Sequence, residues 1–366
     1  MADGAESKAT ARRGRRRLAW LLVAVAVVVV VASGAAFLVA RDDTPAASAA
    51  GEPWFAPYVA TTVTPILRFD DPVAAPSAAL VLGFVVAAGD DSCTPSWGAH
   101  YGLDEAAAAP LELDAQIDAL RNQGREAMIS FGGAANTELA LRCPDAAQLA
   151  AAYAQVVDRY GVRRLDFDLE GAALHDGAAT ARRAAAVREL QDRAGAAGSG
   201  LEVALTLPVG RHGLGEEGVA QLDAMLAAGV DVGNVNALTM DYAGSMTPGM
   251  TMSEVSTAAL EATFQQVTDA YARAGERLDA ASVWAQLGAT PMIGQNDVPG
   301  EVFTLEDAHH LRDYATARGL GRLSMWSMNR DRSCPPAASQ PVSATCSGVE
   351  QQPSEFARVL SGEPAG

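Results

Sequence analysis

Residues 160–171 read YGVRRLDFDLEG. Within this stretch Leu165, Phe167 and Leu169 alternate with Asp166, Asp168 and Glu170. Successive side chains of a strand point to opposite faces, so the alternation predicts a strand with one apolar and one acidic face. At a rise of about 3.3 Å per residue, neighbouring carboxylates on that face stand about 6.6 Å apart. Like charges so close raise one another's pKa. The outermost acid, Glu170, is therefore expected to keep a proton near neutral pH and to serve as a general acid, with Asp168 as its partner. Two other readings stay open on pattern alone: a solvated acidic edge, and a divalent-cation site built from Asp and Glu. Leu165, Phe167 and Leu169 weigh against the solvated edge, because they imply burial against a second layer.

Outward from this stretch, short apolar segments alternate with Ala-rich helical patterns. Strands are expected from Ala56 (APYVATTV), Ala79 (ALVLGFVVA), Glu126 (EAMISFGG), Arg163 (RRLDFDLE), Leu201 (LEVALTLPV), Val235 (VNALTMDY), Ser282 (SVWAQLGA) and Arg322 (RLSMWSMN). Between them lie helical patterns such as 145–161 and 178–195. Strand–helix alternation implies a parallel sheet, and eight such units predict an α/β protein of the (β/α)8 TIM-barrel class. An open doubly wound sheet is the alternative, but no GxGxxG follows a first strand to support it. Catalytic groups of a TIM barrel sit at the C-terminal ends of its strands. Ser130, Gly132 and Gly133 end the third segment, the acids end the fourth, Met240, Asp241 and Tyr242 end the sixth, and Trp326 lies in the eighth. By alternation Met240 and Tyr242 share a face and Asp241 is turned away. Each of these residues alone reads as core packing or a strand terminator; their joint placement at strand ends makes them a candidate site.

The four cysteines, Cys93, Cys143, Cys334 and Cys346, show no CxxC spacing, and the five histidines supply no zinc pattern. Two disulfides are the simpler reading, with Cys93–Cys143 and Cys334–Cys346 favoured among three connectivities. Disulfides fit the N-terminus. Residues 1–17 carry Lys8 and Arg12, Arg13, Arg15, Arg16 and Arg17 against Asp3 and Glu6, and residues 18–40 contain no charge. About 20 apolar residues span a bilayer with the positive flank on the cytoplasmic side. A membrane anchor is favoured on length over a cleaved signal peptide, and both export the body. Residues 41–53 read as a linker, and 54–366 as one domain. The net charge of −17 argues against a nucleic-acid partner and is compatible with a neutral or cationic substrate.

Together these residues resemble glycoside hydrolase family 18, the chitinase family, in a bacterial chitinase/lysozyme-like branch. The family's fourth-strand DxxDxDxE is matched by Asp166, Asp168 and Glu170, its third-strand SxGG by Ser130, Gly132 and Gly133, its sixth-strand Met-x-Tyr by Met240 and Tyr242, and its eighth-strand Trp by Trp326. FAPYV, ISFGGAAN, LGATPMIGQND and MWSMNRD carry the resemblance across about residues 54–333. Arg163 and Arg164 depart from the family's Asp and Gly, and Ala243 from an Asp that often follows the Tyr.

The resemblance implies retaining, substrate-assisted hydrolysis of β-1,4-linked N-acetylglucosamine polymers, without a metal or cofactor, by an exported monomer. Glu170 would protonate the leaving oxygen, Asp168 would hold the acetamido N–H, and Asp166 would tune Asp168 by sharing a proton. Tyr242 would hold the acetamido oxygen and Trp326 would floor the sugar subsite. Met240, Ser130, Gly132 and Gly133 would complete the site, with Gln286 as a further substrate contact. Peptidoglycan and N-glycans are alternative substrates. A non-catalytic chitin-binding lectin on the same barrel is the alternative from another class, and such lectins typically lack the acid that Glu170 supplies.

Overall fold

Leu165, Phe167 and Leu169 are fully buried on the side of their strand that meets the helices. Phe167 stacks on Phe131 at 5.4 Å and meets Tyr153 of a covering helix edge-on at 5.2 Å. This outward apolar layer frees the opposite face of the strand for polar groups, so one alternating sequence builds both the core and the site. The computed structural model describes residues 53–89, 92–336 and 342–363, within one compact unit.

Eight parallel strand positions close on themselves. They are β1 (Trp54–Phe55 and Tyr58–Ala60), β2 (Ala79–Ala87), β3 (Glu126–Gly132), β4 (Arg164–Asp168), β5 (Glu202–Gly210), β6 (Asn234–Leu238), β7 (Leu287–Thr290) and β8 (Arg322–Leu323). Closure falls to β1, which is broken at Ala56–Pro57. Its first half pairs with β8 (Trp54↔Arg322) and its second half with β2 (Tyr58↔Val81). The chain is therefore a TIM barrel, as the alternation predicts.

The helices longer than one turn among the described residues are α1 (Leu113–Asn122), α2 (Ala146–Tyr160), α3 (Gly177–Ala196), α4 (Glu216–Ala227), α5 (Met252–Arg273), α6 (Ala280–Gln286), α7 (Leu305–Arg318) and α8 (Glu355–Ser361). Their ends are written locally. Asp145 caps α2 by accepting from Gln148 N at 2.8 Å, and Gly161 ends it at φ +59°. Thr251 with Glu254, and Thr304 with Asp307, form capping boxes on α5 and α7. No helix lies between β1 and β2, where residues 61–78 run through turns.

Two segments differ from the pattern reading. The segment from Ser282 is helical through Gln286, because Asp279 accepts from Ser282 N at 2.8 Å and starts a helix there; β7 begins only at Leu287. The segment from Ala56 pairs only to Ala60, after which the chain turns. Both expected disulfides are present, and Cys93–Cys143 joins the loop after β2 to the loop after β3. The basic start (1–17), the apolar segment (18–40) and the linker apart from Pro53 lie outside the described residues. Among the described residues no helix is long and apolar enough to cross a membrane.

Candidate active site

The inner face of the barrel is unusually polar. Tyr58, Ser130, Asp166, Thr206, Asn236, Thr290 and Arg322 come from seven strands, and all are at most 2% exposed. Buried polar groups need partners, and these supply one another. Asp166 Oδ2 accepts from Tyr58 Oη at 2.7 Å and Ser130 Oγ at 2.6 Å. Its Oδ1 accepts from Thr206 Oγ1 at 2.6 Å and Arg322 Nη1 at 3.2 Å. Asn236 Nδ2 continues the chain to Thr206 Oγ1 at 3.0 Å and Thr290 Oγ1 at 2.7 Å.

Above this floor, at the C-terminal ends of the strands, opens a cavity of about 200 Å³. Asp168, Glu170, Asp241 and Asp297 supply its carboxylates. Tyr58, Phe84, Trp326, Met240 and Met292 supply apolar wall. Phe84 and Trp326 stack at 5.5 Å with 21° between their planes, and Tyr58 lies 6.0 Å from each. The Gly83–Phe84 and Trp326–Ser327 peptide bonds are both cis.

The acids differ in their surroundings. Asp168 is 3% exposed, and its Oδ1 has no hydrogen-bond partner among the described residues. Burial pushes it well above the usual carboxylate range; the charges of Glu170 and Asp166 add to this and Arg322 opposes it. Glu170 lies two residues past the end of β4 and is pushed up to about 7, first by burial and then by the charge of Asp241. Asp241 is raised mainly by burial, against the hydrogen bond that Val298 N donates to its Oδ1 at 3.1 Å.

The expected site residues divide by where the barrel places them. Glu170, Asp168, Met240 and Trp326 line the cavity. Asp166 lies beneath it, with Tyr58 and Ser130 on Oδ2 and Thr206 and Arg322 on Oδ1. Ser130 supports Asp166 instead of facing a ligand. Gly132 and Gly133 make close backbone approach possible: a Cβ on Gly132 would meet Asp168 O at 2.1 Å, and one on Gly133 the Phe84 ring at 2.7 Å.

Two expectations are corrected. Tyr242 is turned into the helix layer, 4% exposed, with its hydroxyl on Ser256 Oγ of α5 at 3.1 Å. Asp241 takes the cavity position. The alternation fails because β6 ends at Leu238 and Asp241 has φ +50°, so the pleat no longer sets direction. Glu301 holds this kink by accepting from Tyr242 N at 2.8 Å and Ala243 N at 2.7 Å. Gln286 ends α6 just before β7 begins, at the barrel end opposite the cavity, and is not among the residues that line it.

The departures at Arg163 and Arg164 also lie at that opposite end. Arg164 pairs with Glu202 at 3.0 Å and Glu126 at 3.4 Å, and its guanidinium covers Trp54 at 4.5 Å. They leave the cavity untouched. Pattern reading missed Tyr58, Phe84, Met292, Asp297 and Arg322. Phe84 and Met292 sit in apolar runs that carry no facing signal, and Arg322 reads as a surface charge at a strand start.

A TIM barrel with a buried acidic strand end and an aromatic-walled cavity at its C-terminal face defines a candidate acid–base catalytic site, and comparison with known proteins narrows it. No family model matches the chain. It is 36% identical over 256 residues to a probable bifunctional chitinase/lysozyme of Escherichia coli (strain K12), over 68% of this chain and 28% of that protein. It is 34% identical over 256 residues to endochitinase 11 of Metarhizium anisopliae, over 68% of this chain and 47% of that protein. The chain thus spans less than half the length of these relatives. The catalytic domain of a hyperthermophilic chitinase from Pyrococcus furiosus superposes with a TM-score of 0.72 at 29% identity, over 85% of this chain and 95% of that one. The chain belongs to glycoside hydrolase family 18, the chitinase family.

Proposed function

We propose that the protein is a retaining glycoside hydrolase that cleaves β-1,4-linked N-acetylglucosamine polymers with the help of the substrate's own acetamido group. The observation that carries this is the cavity's pairing of a carboxyl held up to about 7, Glu170, with a buried carboxyl whose Oδ1 is bare, Asp168. Glu170 gives its proton to the glycosidic oxygen as that bond breaks. The acetamido oxygen bonds to the anomeric carbon, forming an oxazolinium with one face of the sugar blocked. Water then adds from the vacated side, returns a proton to Glu170 and opens the ring with retention. Asp168 Oδ1 accepts the acetamido N–H and stabilises the developing charge. Trp326, stacked on Phe84, offers the sugar a flat apolar surface.

Asp241, which lines the cavity together with Glu170, is a further polar group within the site for the acetamido group. Chromophore release from N-acetylchitooligosaccharide glycosides by the full chain, beside Glu170→Gln, tests the reading. Equal rates would refute the assigned acid, and binding without turnover would favour a lectin. The Escherichia coli relative's name adds lysozyme to chitinase, so peptidoglycan is the second substrate to assay. We place the domain outside the cytosol, which the two disulfides support. Activity confined to the cytosolic fraction would refute that placement.

A further inference from the structure

Between the strand ends and the helices lies a buried ion pair that the reaction above does not use. Glu138, in the loop after β3, and Arg183 on α3 meet at 2.7 Å, their side chains 2% and 0% exposed. Glu138 Oε1 accepts from Tyr153 Oη of α2 at 2.7 Å, and its Oε2 also accepts from Ala140 N at 2.9 Å. Arg183 Nη1 donates to Gln221 Oε1 of α4 at 2.9 Å. Gln221 is buried, and its Nε2 donates onward to Thr180 Oγ1 at 2.8 Å and to Leu174 O at 3.1 Å. Desolvation offsets much of the attraction in a buried ion pair, so stability alone accounts poorly for its presence there.

Both ends of this chain of bonds reach the backbone that carries the acids. At one end the Glu138 stem lies against Gly132, where a Cβ would stand 3.5 Å from Glu138 Cγ. The next residue, Gly133, donates its N–H to Asp168 O at 2.9 Å. At the other end Leu174 belongs to a single helical turn, Ala172–His175, separated from Glu170 only by Gly171. The turn closes on Glu170 itself, whose carbonyl accepts from Ala173 N at 3.1 Å. A second contact of the turn with α4, His175 with Glu217 at 3.6 Å, is exposed and therefore weak. We propose that Gln221, held by Arg183, is a positioning residue for the reaction: by gripping Leu174 O it fixes the turn after β4, and with it the Glu170 side chain, relative to Asp168.

The direction of each bond is fixed by chemistry. Arg183 can only donate and Leu174 O can only accept, so the Gln221 amide has one orientation. A carboxylate in place of that amide would still accept from Arg183 but could not donate to Leu174 O. Such a substitution therefore parts the link to the turn from the link to the ion pair. The inference rests on the hydrolase reading for its kinetic consequence only. A general acid must stand within hydrogen-bond reach of the oxygen it protonates, so a turn free to shift costs turnover more than it costs binding.

The test compares the full wild-type chain with Gln221→Glu and with Arg183→Lys, which keeps a cation on Glu138. Gln221→Glu is expected to lower kcat about tenfold on a chitooligosaccharide glycoside and to leave KM within about twofold, the pattern of a misplaced reacting group. Arg183→Lys cannot fork between Glu138 and Gln221 and is expected to lose about threefold in kcat. An unchanged kcat in either folded variant would overturn the proposal. Amide hydrogen exchange reads the same point without turnover. Ala173 and Leu174 N–H are expected to exchange about tenfold faster in Gln221→Glu, while the amides of β2 and β3 keep their rates. Unchanged exchange at this turn, or an equal acceleration throughout the barrel, would overturn the proposal. If Gln221→Glu does not fold, Arg183→Lys carries both measurements. Absence of hydrolysis by the wild type would refute the hydrolase reading and leave the exchange result to decide whether Gln221 fixes the turn.

Discussion

Asp241 and Tyr242 are neighbours in the chain and face opposite layers: Asp241 lines the cavity, while Tyr242 places its hydroxyl on Ser256 of α5 at 3.1 Å. Their roles are therefore separable. Asp241→Ala is expected to lower kcat by about 100-fold, in the range of a lost transition-state hydrogen bond. Tyr242→Phe should cost about 1 kcal/mol of stability through one lost hydrogen bond and leave kcat within about twofold. Kinetics on a chitooligosaccharide glycoside and urea unfolding check both; the reverse pattern would restore Tyr242 to the site.

Glu170 sets the alkaline limit. A general acid must carry its proton, so activity is expected to fall as pH rises through about 7. Glu170→Gln should lose about 10²–10⁴-fold in kcat.

The same group predicts a pH-dependent stability. Its pKa is raised from 4.5 to about 7, so ionisation costs the native state above about pH 4.5, and the full cost is reached above pH 7. Glu170→Gln removes that ionisation. The variant should match wild type at pH 4 and exceed it by about 1–3 kcal/mol at pH 8, as thermal unfolding at the two values would show. Equal stability at pH 8 would contradict the assigned shift.

Gly132 lies where β3 meets β4. It has φ +100°, and a Cβ there would lie 2.1 Å from Asp168 O. Gly132→Ala is expected to cost about 3 kcal/mol, by strain and by pushing β4 away. It should also weaken turnover, because the displaced backbone carries Asp168. Denaturant unfolding paired with kcat measures both effects.

The disulfides differ in span. Cys93–Cys143 separates its cysteines by 50 residues and Cys334–Cys346 by 12. Loop entropy alone assigns about 4 and about 3 kcal/mol to them. Paired Cys→Ser replacement is expected to lower stability more at the first, measured by urea midpoint.

Much of this was legible in the chain. Strict alternation over 165–170 identified β4, its buried face and its acids, because period two and the need to bury Leu165, Phe167 and Leu169 leave one orientation. Helices α2 and α3 fell within a residue or two of the pattern, since Asp145 and Asp176 cap them locally. The segment from Ser282 misled because VWAQLGA suits a buried helix as well as a strand, and the hydrogen bond to Asp279 decides between them.

Sequence by itself determined the barrel class and the strand that carries Asp166, Asp168 and Glu170, because periodicity and capping act over short range; it favoured the cysteine pairs among three connectivities, and the fold brings Cys93 to Cys143 across 50 residues. Tertiary structure alone decided which way the chain turns at Asp241, which aromatic rings wall the cavity, and that Arg322 stands beneath Asp166. Asp241 is set by a carboxylate 60 residues away, Glu301, which grips Tyr242 N. Arg322 reaches Asp166 across 156 residues, only because the last strand closes against the first. Such relationships join residues remote in sequence, and no local pattern encodes them.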